Sequence, residues 1–210
     1  MLLNTKYYIS DYKYYNLLWH ILSILSKGIH LLHSSITNTI ISNVTNTYTC
    51  FLNRSVIPNS LYVLTANTYI QAKLFTDLLI ADFPNNILRF ISITNITSII
   101  YNIRIIVKAL VPTNLVLQTI TNIFTCSSWC ERESWDLFGV FYNNNVDLRR
   151  ILNDYGFHGH PLKKDFPLSG YSETLFSFTL GVVLYKLLKM IQELRFFNIN
   201  SSWNYYLNKL

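Results

Sequence analysis

One stretch constrains this chain more than any other: Trp129–Tyr171, WCERESWDLFGVFYNNNVDLRRILNDYGFHGHPLKKDFPLSGY. Elsewhere apolar residues are interleaved with Asn, Ser, Thr and Tyr, and charges come mostly singly. Between Glu131 and Asp165 lie five basic residues (Arg132, Arg149, Arg150, Lys163, Lys164) and six acidic ones (Glu131, Glu133, Asp136, Asp147, Asp154, Asp165). Those eleven are drawn from 17 basic and 11 acidic residues in the whole chain. The stretch also holds Gly139, Gly156, Gly159 and Gly170, four of the six glycines, with Pro161 and Pro167. Mixed-sign charge punctuated by glycine, proline and aromatic residues describes an irregular belt with many specific polar contacts, which a plain packed helix or strand does not need.

The rest of the chain reads as a body for this belt. Residues 12–33 carry Leu17, Leu18, Ile21, Leu22, Leu25, Ile29 and Leu32 at helical spacing. A Ser/Thr/Asn-rich run from Ser34 to Thr47 reads as a connector into a strand near Thr45–Leu52, and Pro58 opens a short helix over roughly Asn59–Asn67. Lys73–Ile80, Ile87–Thr94 and Tyr101–Leu110 read as strands. In the last, Ile103, Ile105 and Val107 alternate with Arg104, Ile106 and Lys108, as in a strand with one packed and one mostly wet face. After Pro112-Thr113-Asn114, Val116–Phe138 reads as mostly helical, with Arg132 and Asp136 one turn apart and able to pair. A last helix is expected near Leu180–Phe196. The fold class is therefore α+β: a single α/β-type domain with a small mixed sheet and packed helices, followed by an extended C-terminal segment. The divisions are a helical extension over 1–44, the core over 45–142, and a partner-wrapping segment with a C-terminal helix or tail over 143–210.

Several function classes lack their residues. No G-x-G-x-x-G follows a strand, so dinucleotide binding has no support. An iron–sulfur cluster needs about four thiolates, and the chain has Cys50, Cys126 and Cys130. Three cysteines make no disulfide framework and suit a reducing compartment. Basic residues outside the belt are scattered, so no stripe marks a nucleic-acid surface. Zinc is the sharper alternative, because Cys126, Cys130, His158 and His160 are four ligands of acceptable type. Glu131, Glu133 and Asp136 suggest acid–base chemistry; against that stands an ion-pair network of Arg132, Arg149 and Arg150 with Glu131, Glu133, Asp136 and Asp154. Tyr155, Phe157, Phe166 and Tyr171 read either as a quinone-stacking box or as anchors on a neighbour.

The uncharged runs Tyr14–Ser26 and Thr174–Tyr185 are too short to span a bilayer, so no transmembrane helix is expected. Both 12–33 and 174–196 keep open a membrane-surface role. The start has neither an Arg-rich amphipathic pattern nor an A-x-A site. Abundant Asn, Ile, Tyr, Phe and Lys point to A/T-rich codons, as an organellar genome would supply.

The belt resembles the signature of the 30-kilodalton-type subunit of respiratory complex I (NADH:ubiquinone oxidoreductase). The matching pieces are E-R-E-x-W-D-L-F-G at Glu131–Gly139, D-L-R-R-I-L at Asp147–Leu152, D-Y-G-F-x-G-H-P at Asp154–Pro161 and K-D-F-P-L-S-G-Y at Lys164–Tyr171. Thinner likenesses are D-F-P at Asp82–Pro84, R-F at Arg89–Phe90, Q-E-L-R-x-F at Gln192–Phe197 and N-S-S-W at Asn200–Trp203. Departures are the basic pair Lys163-Lys164, where the family usually has an Arg, and the apolar tail from Phe176 to Leu188. The resemblance implies a non-catalytic core subunit of the proton-translocating NADH:ubiquinone reductase. Its place would be the peripheral arm, on the matrix side of the mitochondrial inner membrane, packed against the 49-kilodalton-type subunit. NADH, FMN, iron–sulfur clusters and ubiquinone are expected in partner subunits and none on this chain. Belt residues, with Arg149 and Arg150 foremost, are expected to make interface or internal acidic contacts. The lack of a presequence then implies synthesis inside the organelle.

Overall fold

The computed structural model describes residues 36–42, 47–192 and 195. They fall in two compact units, one up to Phe166 and one from Pro167. The helix expected over 12–33 lies outside the described residues.

In the first unit β1 (Ile36–Ser42) and β2 (Thr47–Leu52) pair antiparallel. A 3-10 turn at Arg54–Val56 leads into α1 (Ile57–Ala66), with Pro58 in its first turn, where the missing N–H costs nothing. Three antiparallel neighbours follow, β3 (Leu74–Asp82), β4 (Phe90–Ser98) and β5 (Ile103–Val111). β5 then lies parallel to β2, with Cys50 beside Val107. The result is a five-stranded mixed sheet in the order β1-β2-β5-β4-β3. α1 is the crossover that allows the parallel contact.

One sheet face makes the core. Leu61 and Leu64 of α1 pack with Ile96, Ile105, Val107 and Ile70, all almost fully buried. The alternation along β5 is as the sequence predicts: Ile103, Ile105 and Val107 are buried, Arg104 is exposed and Lys108 half-buried. The strands begin and end a few residues later than read from sequence. The larger difference is at 116–126, which is not helical. Leu117–Gln118 (β6) pairs parallel with Tyr142–Asn143 (β7), and only Ser127–Phe138 forms α2. Likewise Ser34–Thr47 is no mere connector, because its β-branched Ile and Thr residues make β1.

In the second unit β8 (Ser172–Ser177) and β9 (Val182–Leu187) form an antiparallel hairpin. This replaces the helix expected near Leu180–Phe196, at least as far as Leu187. Gly181, at φ +63°, returns its N–H to the Ser177 carbonyl at 2.8 Å and closes the turn. No helix among the described residues is long and apolar enough to cross a membrane.

Candidate functional site

α2 carries the first piece of the belt, and two of its carboxylates point inward. Glu131 is fully buried. It accepts hydrogen bonds from the Thr119 hydroxyl (2.7 Å), the Ile120 N–H (2.8 Å) and the Asn145 side-chain amide (2.8 Å). All three donors are neutral, and burial pushes the carboxyl above its ordinary pKa despite them. Glu131 thus ties the segment at 119–120 and the turn at Asn145 to one helix.

Asp136 organises what comes next. One of its oxygens accepts three successive backbone N–H groups, from Ile151 (3.2 Å), Leu152 (2.8 Å) and Asn153 (2.9 Å). The other takes the Asn153 side-chain amide at 2.7 Å and Arg150 Nη1 at 2.9 Å. Three convergent N–H groups form an anion nest, here filled by a side chain of the same protein. Burial would raise this carboxyl; the donors outweigh it and hold the pKa below its usual value. Arg150 also donates to the Gly159 carbonyl at 2.9 Å and lies over the Phe157 ring. His160 Nδ1 stands 3.0 Å from the Asp136 carbonyl, its ring against Trp135. The Leu162 N–H reaches the Leu137 carbonyl at 3.1 Å. The belt therefore wraps the C-terminal end of α2, which stops at Gly139 in the left-handed conformation.

A third carboxylate holds the far end of the belt. Asp82, almost fully buried at the end of β3, accepts Arg89 Nε at 2.6 Å and Nη2 at 2.7 Å, a forked pair, and the Lys164 N–H at 2.8 Å. Hydrogen bonding from Arg89 is the main cause of its lowered pKa. The third nitrogen of Arg89 pairs with Asp165. Lys163 lies over the ring of Phe90, as does Arg89. With its polar groups satisfied inward, the belt leaves Val146, Leu152, Leu162 and Tyr155 (97% exposed) facing out.

Residues 52–172 match the sequence profile of a family described as respiratory-chain NADH dehydrogenase, 30 Kd subunit. The chain belongs to that family. It is 43% identical over 143 residues to NADH-ubiquinone oxidoreductase subunit 9 of Prototheca wickerhamii, covering 68% of this chain and 74% of that protein. It is 45% identical over 141 residues to the protein of the same name from Reclinomonas americana, covering 67% and 69%. Against NADH dehydrogenase [ubiquinone] iron-sulfur protein 3 of Solanum tuberosum it is 42% identical over 137 residues, covering 65% and 72%. Among solved structures, a chain of the membrane-bound sulfane sulfur reductase, an archaeal respiratory membrane complex, shares the fold. Its TM-score is 0.57 at 18% identity, covering 70% of this chain and 85% of that one.

Within this 30-kilodalton subunit family member, the expected ion-pair network holds only in part. Arg150 pairs with Asp136. Arg132 does not. It donates to the Arg149 carbonyl at 3.1 Å and stacks on Trp129, while Arg149 pairs with Asp147 on the surface. Glu131 takes neutral donors from Thr119, Ile120 and Asn145, and Glu133 is exposed. Asp154 starts a turn, accepting the Tyr155 N–H on its side chain and the Phe157 N–H on its carbonyl. Pro161 follows His160 into the turn that Lys163 and Phe166 close. Gly156 is exposed on a left-handed turn, and Gly159 faces the Phe166 ring, which a Cβ there would meet at 2.8 Å. Pro167, Gly170 and Tyr171 belong to the second unit, where the Tyr171 carbonyl accepts the Leu188 N–H.

The zinc quartet is not assembled. Cys126 and His158 are exposed, Cys130 leans on Asp77, and His160 is committed to Trp135 and the Asp136 carbonyl. Among the described residues no three His, Cys, Asp or Glu side chains are grouped to hold a metal ion. Nor do the aromatics form one box: Phe157 and Phe166 pack on each other, and Tyr155 is bare. Sequence reasoning missed Asp82 and Arg89 as the belt's far anchor. The available signal was an aspartate directly after the apolar run Leu78–Ala81, a position where a charge is kept only with a partner.

Proposed function

We propose that this chain is a non-catalytic core subunit of the peripheral arm of NADH:ubiquinone oxidoreductase, needed for assembly and for positioning the quinone-site subunits. In this reading it sits on the matrix side of the mitochondrial inner membrane and docks through the belt on the 49-kilodalton-type subunit. NADH, FMN, iron–sulfur clusters and ubiquinone belong to the partners. One observation carries the reading: Asp136 and Asp82 spend their hydrogen-bonding capacity on holding an irregular segment in place, while Leu152 and Tyr155 are presented to the outside. A chain that fixes loop backbone with buried carboxylates, and exposes apolar side chains on it, has the makings of a preorganised docking surface. Family membership supplies the complex in which to look for the partner.

The test uses Tyr155 and Leu152, whose side chains the fold does not need. A photo-crosslinking amino acid at position 155, in membranes containing the complex, should capture the 49-kilodalton-type subunit. Leu152→Asp with Tyr155→Asp should lower the amount of assembled complex on native gels and leave turnover per assembled complex unchanged. Normal assembly with lost quinone reduction would overturn the positioning role. Capture of only unrelated subunits would overturn the partner.

A further inference from the structure

The strands β3, β4 and β5 have two ends, and the belt is anchored at only one of them. Asp82 and Arg89, which hold Lys164 and Asp165, lie where β3 passes into β4. At the opposite end Ser98 is paired with Ile103, and the turn between them is Ile99-Ile100-Tyr101-Asn102. A hairpin turn that faces water is normally built from Gly, Asn, Asp, Ser or Pro. Here only Asn102, at φ +51°, fits that rule, while Ile99 and Ile100 stand 74% and 68% exposed. At the same end Tyr69, on the connection from α1, and Leu74, the first residue of β3, are also exposed.

The turn is pinned in place. The Tyr101 hydroxyl donates to the Thr68 carbonyl at 3.2 Å, and the Gln71 side-chain amide donates to the same oxygen at 3.0 Å. Asn67 Oδ1 accepts the Tyr69 N–H at 2.7 Å. These bonds join 67–71 and 99–102 into one surface whose apolar side chains are held ready for contact. Lys73 and Arg104 are exposed on its flanks, and neither has an ion-pair partner among the described residues. No Asp or Glu occurs in 67–76 or in 83–130. Asp77, the next acid along β3, is turned to the Leu78 N–H and the Cys130 thiol. An apolar centre with a cationic, acid-free rim has the anatomy of an interface, and the opposite charge must come from whatever covers it.

We propose that this end of the sheet is a second protein-docking surface, and that its occupant is another subunit presenting an apolar slot edged with carboxylates. Two separated cations are fewer than the cluster of about four to eight that marks a surface for anionic lipid. A second copy of the chain, meeting this face with its own, would set like charges against each other. With Leu74 at this end and Asp82 at the other, β3 holds the two docking surfaces about 26 Å apart at roughly 3.3 Å per residue. The sheet is then a spacer between two neighbours, a role that does not depend on docking through the belt.

The experiment puts a photo-crosslinking amino acid at position 100 of the full chain, in native membranes that hold the complex. It should capture a subunit other than the one caught from position 155, through a peptide containing Asp or Glu. Ile99→Asp with Ile100→Asp should lower co-purification of that subunit about tenfold or more, as loss of a central apolar anchor does. Buried Cys50 should stay shielded from alkylation in this variant, showing that the sheet is folded. Undiminished co-purification overturns the proposal. So does capture from position 100 of lipid alone, of this chain alone, of the subunit held at 155, or of nothing, even where position 155 finds its partner. Capture at 100 with none at 155 removes the belt's docking role and leaves this surface standing. Should the aspartate variant not accumulate, carbodiimide coupling of the unaltered chain decides. Lys73 joined to a carboxylate of another subunit supports the surface; Lys73 joined only within its own chain, or not at all, sinks it.

Discussion

A Cβ placed on Gly139 would stand 2.6 Å from the imidazole of His160. The helix stop and the docking of the belt are therefore one event. Gly139 holds φ at +74°, where any other residue is strained, and the space its missing side chain leaves is occupied by a ring fixed between Trp135 and the Asp136 carbonyl. Gly139→Ala should cost about 2 kcal/mol or more from backbone strain and ring displacement together. A thermal shift of the assembled complex measures it; an unchanged midpoint would mean the ring moves freely.

Asp136→Asn should be among the most damaging single changes in the first unit. It leaves Arg150 without its carboxylate and puts an amide where three backbone N–H groups converge. Breaking a largely buried pair of this kind costs about 3–5 kcal/mol. Arg150→Met should cost less, since Arg150 is partly exposed and the N–H donors keep their acceptor. Urea titration of both variants tests the order.

Arg89→Lys keeps the charge and loses the fork. A lysine cannot hold both oxygens of Asp82 and also reach Asp165, so the far end of the belt should loosen while the sheet stays intact. Hydrogen exchange should quicken at Lys164–Phe166 and remain slow in β4 and β5. Equal quickening everywhere would show a global loss instead.

The carboxylates should pull stability in opposite directions with pH. Asp82 and Asp136 have folded-state values below 3.8, so their contribution is full above that value and lost as pH falls through the lower folded one. Glu131 is raised above 4.5, so its contribution is full below 4.5 and lost as pH rises through the folded value. Relative to Glu131→Gln, the natural chain should therefore gain stability as pH is lowered from neutral towards 4.5. Parallel curves for the two would refute the assignment.

Thiol labelling offers a direct check of burial. Cys50 lies inside the sheet core, and burial pushes its thiol up to about 12, so it should stay unmodified at pH 8 until the chain unfolds. Exposed Cys126 should react at once. Mass spectrometry after brief alkylation of the purified chain reads both.

The sequence made legible whatever rests on local pattern: three strands by their Ile-, Leu- and Val-rich runs, one of them also by alternation, α1 by its proline, the belt by its charge. The elements it hid are those where tertiary context overrode pattern. Val116–Phe124 has apolar spacing fit for a helix, yet the Ile120 N–H and the Thr119 hydroxyl are taken by Glu131, which is available only once α2 is in place. Leu180–Leu187 looks helical by its leucines, but Val182, Val183 and a left-handed Gly181 favour a hairpin. The partner of Arg89 beyond Asp82 lies 76 residues away, and no local period announces it.

The parallel contact between β2 and β5 joins residues 57 apart, and this has a bearing on biosynthesis. As the polypeptide leaves the ribosome, the β1–β2 ribbon must wait with a bare edge while α1 and three further strands are made. That interval exposes a strand edge to stray pairing. A chaperone or an early-binding neighbour at this stage would protect the nascent chain before any docking surface exists.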